Sequence, residues 1–223
     1  MLNCEAFCDP SNKDAPVRGY LHSSTNAGAN CLILTHGAGA NCQSTLLRAL
    51  AEAFCIAGLT VLRCDLPFRQ LRPLGPPLRG SAERDQAGLR AAVAAMRRLT
   101  AGLIFLGGHS YGGRQASMLA AAEPQLVEGL LLLSYPLHPP KRTDDLRTKH
   151  FPSLQVPAFF AHGTRDGFGT ISEMQSAVSL IPARTELLPI AGAGHELLTK
   201  TNREDLIMQV TAGFDAFTHP TPQ

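Results

Sequence analysis

The 223-residue sequence predicts an α/β fold: a doubly wound, mostly parallel sheet with helices on both faces and no large lid. Three observations carry this. Apolar strand-like runs alternate with segments of helical periodicity. The central runs are apolar throughout, as in strands covered on both faces. One run, Leu103 to Leu106, enters a glycine-flanked turn, Gly108-His-Ser-Tyr-Gly112, that leads into an alanine-rich helix.

In chain order, residues 5–22 read as one or two edge strands around a turn at Asp9-Pro-Ser-Asn12. Cys31 to Thr35 is a buried strand that runs into His36-Gly-Ala-Gly-Ala40. A helix from about Ser44 to Ala57 places Leu46, Leu47, Leu50 and Phe54 on one face, and Gly58 ends it. Thr60 to Cys64 is the next strand. Residues 66–81 are rich in proline and arginine and read as an irregular surface loop. A helix from about Ala82 to Leu99 precedes the Ser110 unit, whose helix reads as Gln115 to Ala122. Gly129 to Ser134 is a strand, and residues 135–154 are irregular. Pro157 to Ala161 is a strand leading to His162-Gly-Thr-Arg-Asp-Gly-Phe-Gly169. Thr170 with Glu173 forms a capping box for a helix reaching about Leu180. Thr185 to Ile190 is the last strand, and Thr201 with Glu204 caps a final helix. The tail Pro220 to Gln223 is expected to fray.

This length suits one domain, residues 1–223, with a sizeable core. A net charge of +2 exerts no global pull on nucleic acid. No apolar run approaches membrane-spanning length, and the N-terminus lacks the features of a secretory signal. All six cysteines lie in the first 64 residues. Cys4 and Cys8 are not followed by a second pair at metal-binding spacing, so no metal or other cofactor is expected. Reduced thiols in a cytoplasmic protein are the reading.

Gly108-His-Ser-Tyr-Gly112 fits G-x-S-x-G in the strand–turn–helix setting of a nucleophile elbow. Glycines let strand and helix approach closely while the turn exposes the Ser110 hydroxyl. Alone, the pattern could be a glycine-rich packing turn. After it, however, the strand ending at Ala161 leads to Asp166 and the last strand leads to His195. Ser110, Asp166 and His195 thus follow three strands in the order nucleophile, acid, base, and all open at the carboxyl edge of the sheet. Asp144 and Asp145 are competing acids, but they sit in a polar mixed-charge run. The oxyanion donors are expected to be the amides of Tyr111 and Ala38. His36 is read as shaping its loop, and His109 as pointing away from the serine. Arg114, in the first turn of the elbow helix, opposes the helix dipole and should have a carboxylate or carbonyl partner. Arg69, Arg72 and Arg79 flank the mouth, as solvated charges or as a lure for an anionic substrate.

From His36 to His195 these motifs resemble the α/β-hydrolase superfamily, near its dienelactone-hydrolase-like branch. Leu106 to Ser117, Ser134 to Lys141, Leu146 to His150 and His162 to Gly169 resemble a smaller group, which contains testis-expressed protein 30 and subunit 3 of the NSL chromatin complex. His109 and Tyr111 depart from the Lys and Met of that group's elbow. The expected activity is that of a serine hydrolase on a small carboxylic ester, thioester or lactone, through an acyl-enzyme. The alternative is a binding or scaffold protein that retains the fold. The partner is a small ester-type molecule, with no nucleic acid and no membrane. The short segment from Ser134 to Pro157 leaves the mouth open and favours short acyl groups.

Overall fold

The structure is a computed structural model that describes residues 3–26 and 28–219. Its strands are β1 (Asn3–Asp9), β2 (Val17–Ser23), β3 (Cys31–Thr35), β4 (Thr60–Cys64), β5 (Ile104–His109), β6 (Gly129–Leu133), β7 (Ala158–Gly163) and β8 (Thr185–Ile190). The helices are α1 (Thr45–Ile56), α2 (Pro67–Leu71), α3 (Ser81–Arg97), α4 (Tyr111–Ala122), α5 (Ile171–Val178) and α6 (Arg203–Thr218). One sheet runs in the order β1-β2-β4-β3-β5-β6-β7-β8. The six strands from β4 across to β8 pair parallel; β1 and β2 extend the sheet antiparallel.

Side chains of a strand alternate between faces, so each apolar run feeds two cores. Ile33, Leu62, Leu106, Leu132 and Phe160 meet Leu89 and Met96 of α3, Leu119 of α4 and Met174 of α5. Leu32, Leu34, Phe105, Leu131 and Phe159 meet Leu47, Leu50 and Phe54 of α1, and Val210 and Phe214 of α6. The doubly wound architecture is therefore as the sequence predicts. Phe214 bridges the second core through edge contacts with Phe54, Phe105 and Phe159.

Local differences have local causes. Residues 66–81 hold a short helix, α2, inside the predicted loop. Pro67 takes its first turn, where a missing N–H costs nothing, and Phe68 buries its ring. The elbow helix begins at Tyr111, not Gln115, because the turn after β5 imposes the helical path on both glycines. The capping box at Thr170 and Glu173 forms. Thr201 does not cap α6: Asn202 stands at that position and exchanges hydrogen bonds with Thr199 instead. The tail Pro220 to Gln223 lies outside the described residues.

Candidate active site

β5 sits in the middle of the sheet and delivers Ser110 at its carboxyl end. Ser110 has φ 51° and ψ −115°, a left-handed conformation that an L-residue holds only under constraint. The constraint is visible. Its amide donates to Leu133 O at 2.8 Å, and its carbonyl accepts from Arg114 N at 3.0 Å. A Cβ at Gly108 would fall 2.6 Å from Thr35 O, and one at Gly112 2.6 Å from His36 O. Only glycine lets β5 and α4 pack this closely on β3, as the motif implies.

β7 and β8 supply the other two groups. Asp166 follows β7 and His195 follows β8. His195 Nε2 lies 2.8 Å from Ser110 Oγ, and its Nδ1 lies 2.8 Å from Asp166 Oδ2 and 3.0 Å from Oδ1. The structure thus brings the three predicted residues into one hydrogen-bonded line. Burial pushes the Asp166 carboxyl up, but the hydrogen bond and charge of His195, the Phe168 amide and nearby His162 outweigh it. The carboxyl is held below its usual range. An ionised Asp166 accepts the Nδ1 proton, which leaves Nε2 free to accept from Ser110. Asp144 and Asp145 stay exposed, and Asp145 pairs with Arg142.

Two further residues fix the imidazole. Phe168 stacks on it, with ring centroids 4.1 Å apart. His109 lies beside it, and its Nε2 donates to His195 O at 2.8 Å. Strand alternation alone does not disclose this contact of His109 with the neighbouring loop. Burial, above all, keeps His109 neutral by lowering its pKa.

The loop after β3 faces the serine. Gly37 and Ala38 line the same cleft as Ser110 and Tyr111. As the first residue of α4, Tyr111 has an amide with no intrahelical partner. The loop is pinned from behind. His36 Nδ1 donates to Gly37 O, and its Nε2 accepts from Leu66 N, the shaping role expected of it. Arg69 is not a mouth charge. It is buried, and its guanidinium donates to the carbonyls of Ala38, Ala40, Arg72 and Gly75. Asp85, absent from the sequence reading, accepts from Phe68 N and from Tyr111 Oη at 2.7 Å. It ties α2 to the elbow. Its burial raises its pKa against those two bonds.

Arg114 also departs from expectation. It lines the cleft, and its Nε is buried without a hydrogen-bond partner among the described residues. The cleft measures about 590 Å³; Pro136, Arg147 and Glu196 complete its rim. A second cleft of about 470 Å³, around Phe68, Leu71, Leu78 and Arg79, contains none of the three aligned residues. Among the described residues no His, Cys, Asp or Glu cluster could hold a metal ion, and no helix is long and apolar enough to cross a membrane.

Chemically, the line from Ser110 to Asp166 can move a proton off the hydroxyl while the cleft holds an electrophile above it. The profile of a family described as an alpha/beta hydrolase domain matches residues 28–217. Among solved structures, a dienelactone hydrolase from Anabaena variabilis superposes with TM-score 0.77 at 20% identity, covering 96% of this chain and 97% of its own. Est1E from Butyrivibrio proteoclasticus gives 0.75 at 17%, covering 95% and 98%. A protein from Xanthomonas campestris described as an a/b serine hydrolase without lid gives 0.74 at 17%, covering 99% and 97%. At these identities the likeness is one of fold.

Proposed function

The chain belongs to the alpha/beta hydrolase domain family, and from that membership we propose that it is a serine hydrolase of small carboxylic esters, thioesters or lactones. Within the family it sits beside the group of testis-expressed protein 30 and NSL complex subunit 3, on the motifs quoted above. The observation that carries the reading is the unbroken line Ser110–His195–Asp166 at the floor of an open cleft, with 2.8 Å contacts on either side of the imidazole.

Ser110 attacks the carbonyl carbon as His195 takes the hydroxyl proton. The oxyanion forms between the Tyr111 and Ala38 amides, and the N-terminus of α4 adds its dipole. Collapse expels the alcohol, which receives the proton from His195. Water then repeats the sequence on the acyl-enzyme and releases the acid. Six free cysteines fit a cytoplasmic setting.

Mass spectrometry after fluorophosphonate treatment is expected to place the adduct on Ser110. No adduct, or equal labelling of Ser110→Ala, would sink the enzyme reading and favour a scaffold. A panel of acyl esters tests the substrate class. The apolar rim amounts mainly to Pro136, Phe168 and the ring of Tyr111. Each buried methylene is worth about 0.8 kcal/mol, so a deep slot would raise efficiency severalfold per carbon. Acetyl to butyryl esters are expected to be preferred. A steady rise to dodecanoyl esters would contradict the open mouth.

A further inference from the structure

Two cations line the cleft without an ion pair among the described residues; Glu196 shares the rim but lies beyond ion-pair distance of both, and Asp145 acts on Arg147 only from farther away. Arg114 stands one helical turn beyond Ser110, and its amide donates to the Ser110 carbonyl, so both residues project from one side of α4. Arg147 enters from the opposite segment. Its position is fixed by its own backbone: the amide donates to Leu137 O, and the carbonyl accepts from the buried Tyr135 Oη at 2.7 Å. Both arginines line the cleft that holds Ser110 and His195. Among the described residues no carboxylate lies within ion-pair distance of either. Arg147 has a single long contact, from Nη1 to Pro136 O at 3.3 Å, and Arg114 Nε has none.

The two cations are placed against their own electrostatics. Arg114 opposes the positive end of α4. Burial, and then Arg114 itself, lower the pKa of Arg147. Arg69 makes the contrast, because four carbonyls take four of its five N–H donors.

We propose that Arg114 and Arg147 form an anion subsite, so that the ester cleaved at Ser110 carries a carboxylate within a few bonds of its scissile carbonyl. This rests on the hydrolase reading above. It specifies the substrate class: a half-ester of a short dicarboxylic acid, or an acylated hydroxy acid. A guanidinium fork matches a carboxylate with two parallel N–H bonds, and such charged bonds are the strong ones.

The test uses matched pairs in a pH-stat assay: monoethyl fumarate against ethyl crotonate, and acetoxyacetate against propyl acetate. The expected kcat/KM for the anionic member of at least one pair exceeds that of its neutral partner by about ten- to a hundredfold. In Arg114→Gln and Arg147→Gln that ratio is expected to fall to within about threefold of unity, and Arg114→Lys to keep part of it. Each ratio is taken within one protein, so a partly misfolded variant does not distort it. A ratio at or below one for both pairs in the wild type overturns the subsite, as does a ratio unchanged in both glutamine variants. Calorimetry on Ser110→Ala gives a reading independent of turnover. Saturable binding of monoethyl fumarate, absent with ethyl crotonate and lost on adding Arg114→Gln, supports the subsite; equal heats for the two esters overturn it. Fluorophosphonate labelling separates the two ideas. Labelled Ser110 without anion preference discards the subsite and keeps the hydrolase. Unlabelled Ser110 with no turnover discards the hydrolase, while calorimetry still decides the subsite.

Discussion

Helix α4 carries two serine–histidine pairs with the same separation. Ser110 Oγ lies 2.8 Å from His195 Nε2, and Ser117 Oγ lies 2.8 Å from His150 Nε2. Behind His195 stands the Asp166 carboxylate. Behind His150 there is no acidic partner among the described residues; the charge acting on it is that of Arg114. The proton runs in opposite senses. Ser110 donates to His195, whose Nδ1 proton is held by Asp166. Ser117 already donates to the Arg114 carbonyl at 3.0 Å, so His150 Nε2 donates to it. Ser117 is fully buried inside the helix, and Ser110 sits at the cleft on a left-handed turn. A short serine–histidine contact therefore does not make a nucleophile. The third group, the tautomer it imposes and the access to the cleft are what mark Ser110, not Ser117, as the proposed nucleophile.

The largest effect expected from this contrast is at the acid. Asp166→Asn should keep the fold yet lower kcat on order of 10⁴-fold, as in the protease triad, because the wrong tautomer then faces Ser110. Steady-state kinetics on the best short ester checks this. If Asp144→Asn or Asp145→Asn is the damaging change instead, the acid assignment is wrong.

Next comes Ser117→Ala, which leaves the half-buried His150 without its acceptor. It should cost about 1–3 kcal/mol in a urea melt and leave fluorophosphonate labelling of Ser110 in place. Loss of labelling in a folded Ser117→Ala protein would erase the distinction between the two pairs.

The last effect is one of pH. Burial, then the Arg114 charge, lowers the His150 pKa from 6.5 to about 4. The unfolded chain therefore takes up a proton at this site that the folded chain refuses. The stability tied to neutral His150 is intact above pH 6.5, drains away as pH falls and is spent near pH 4. His150→Gln, whose amide can still reach Ser117, should flatten the fall in urea-melt midpoint across that window. An unchanged slope would mean that His150 protonates in the folded protein as readily as in the unfolded one.

The sheet could be read from the chain because apolar runs such as Leu103 to Leu106 and Gly129 to Leu133 can be little else when flanked by glycine and helical patterns. α2 could not, since five residues opening on proline carry no period. Ser110, Asp166 and His195 were visible through residue type, position after a strand and chain order. Asp85, Arg69, Phe168 and His109 were not, because their roles depend on tertiary proximity. Asp85 binds partners 17 and 26 positions away, and no local spacing announces that. Arg114 shows the limit of a local rule. At the positive end of a helix an arginine is expected to have a partner, and the fold places Arg114 on a cleft instead.

The order of the strands bears on how the protein comes to life. Ser110 and His195 are 85 residues apart, and the central pairing of β3 with β5 brings together Cys31 and Ile104. Each step closes a long loop before it is rewarded, so assembly is expected to be slow and cooperative. Strand β8 and the loop after it supply His195, so a nascent chain cannot align Ser110, His195 and Asp166 until residue 195 has left the ribosome. Fluorophosphonate labelling of Ser110, if the proposed hydrolase reading holds, would report completion of the whole sheet during refolding.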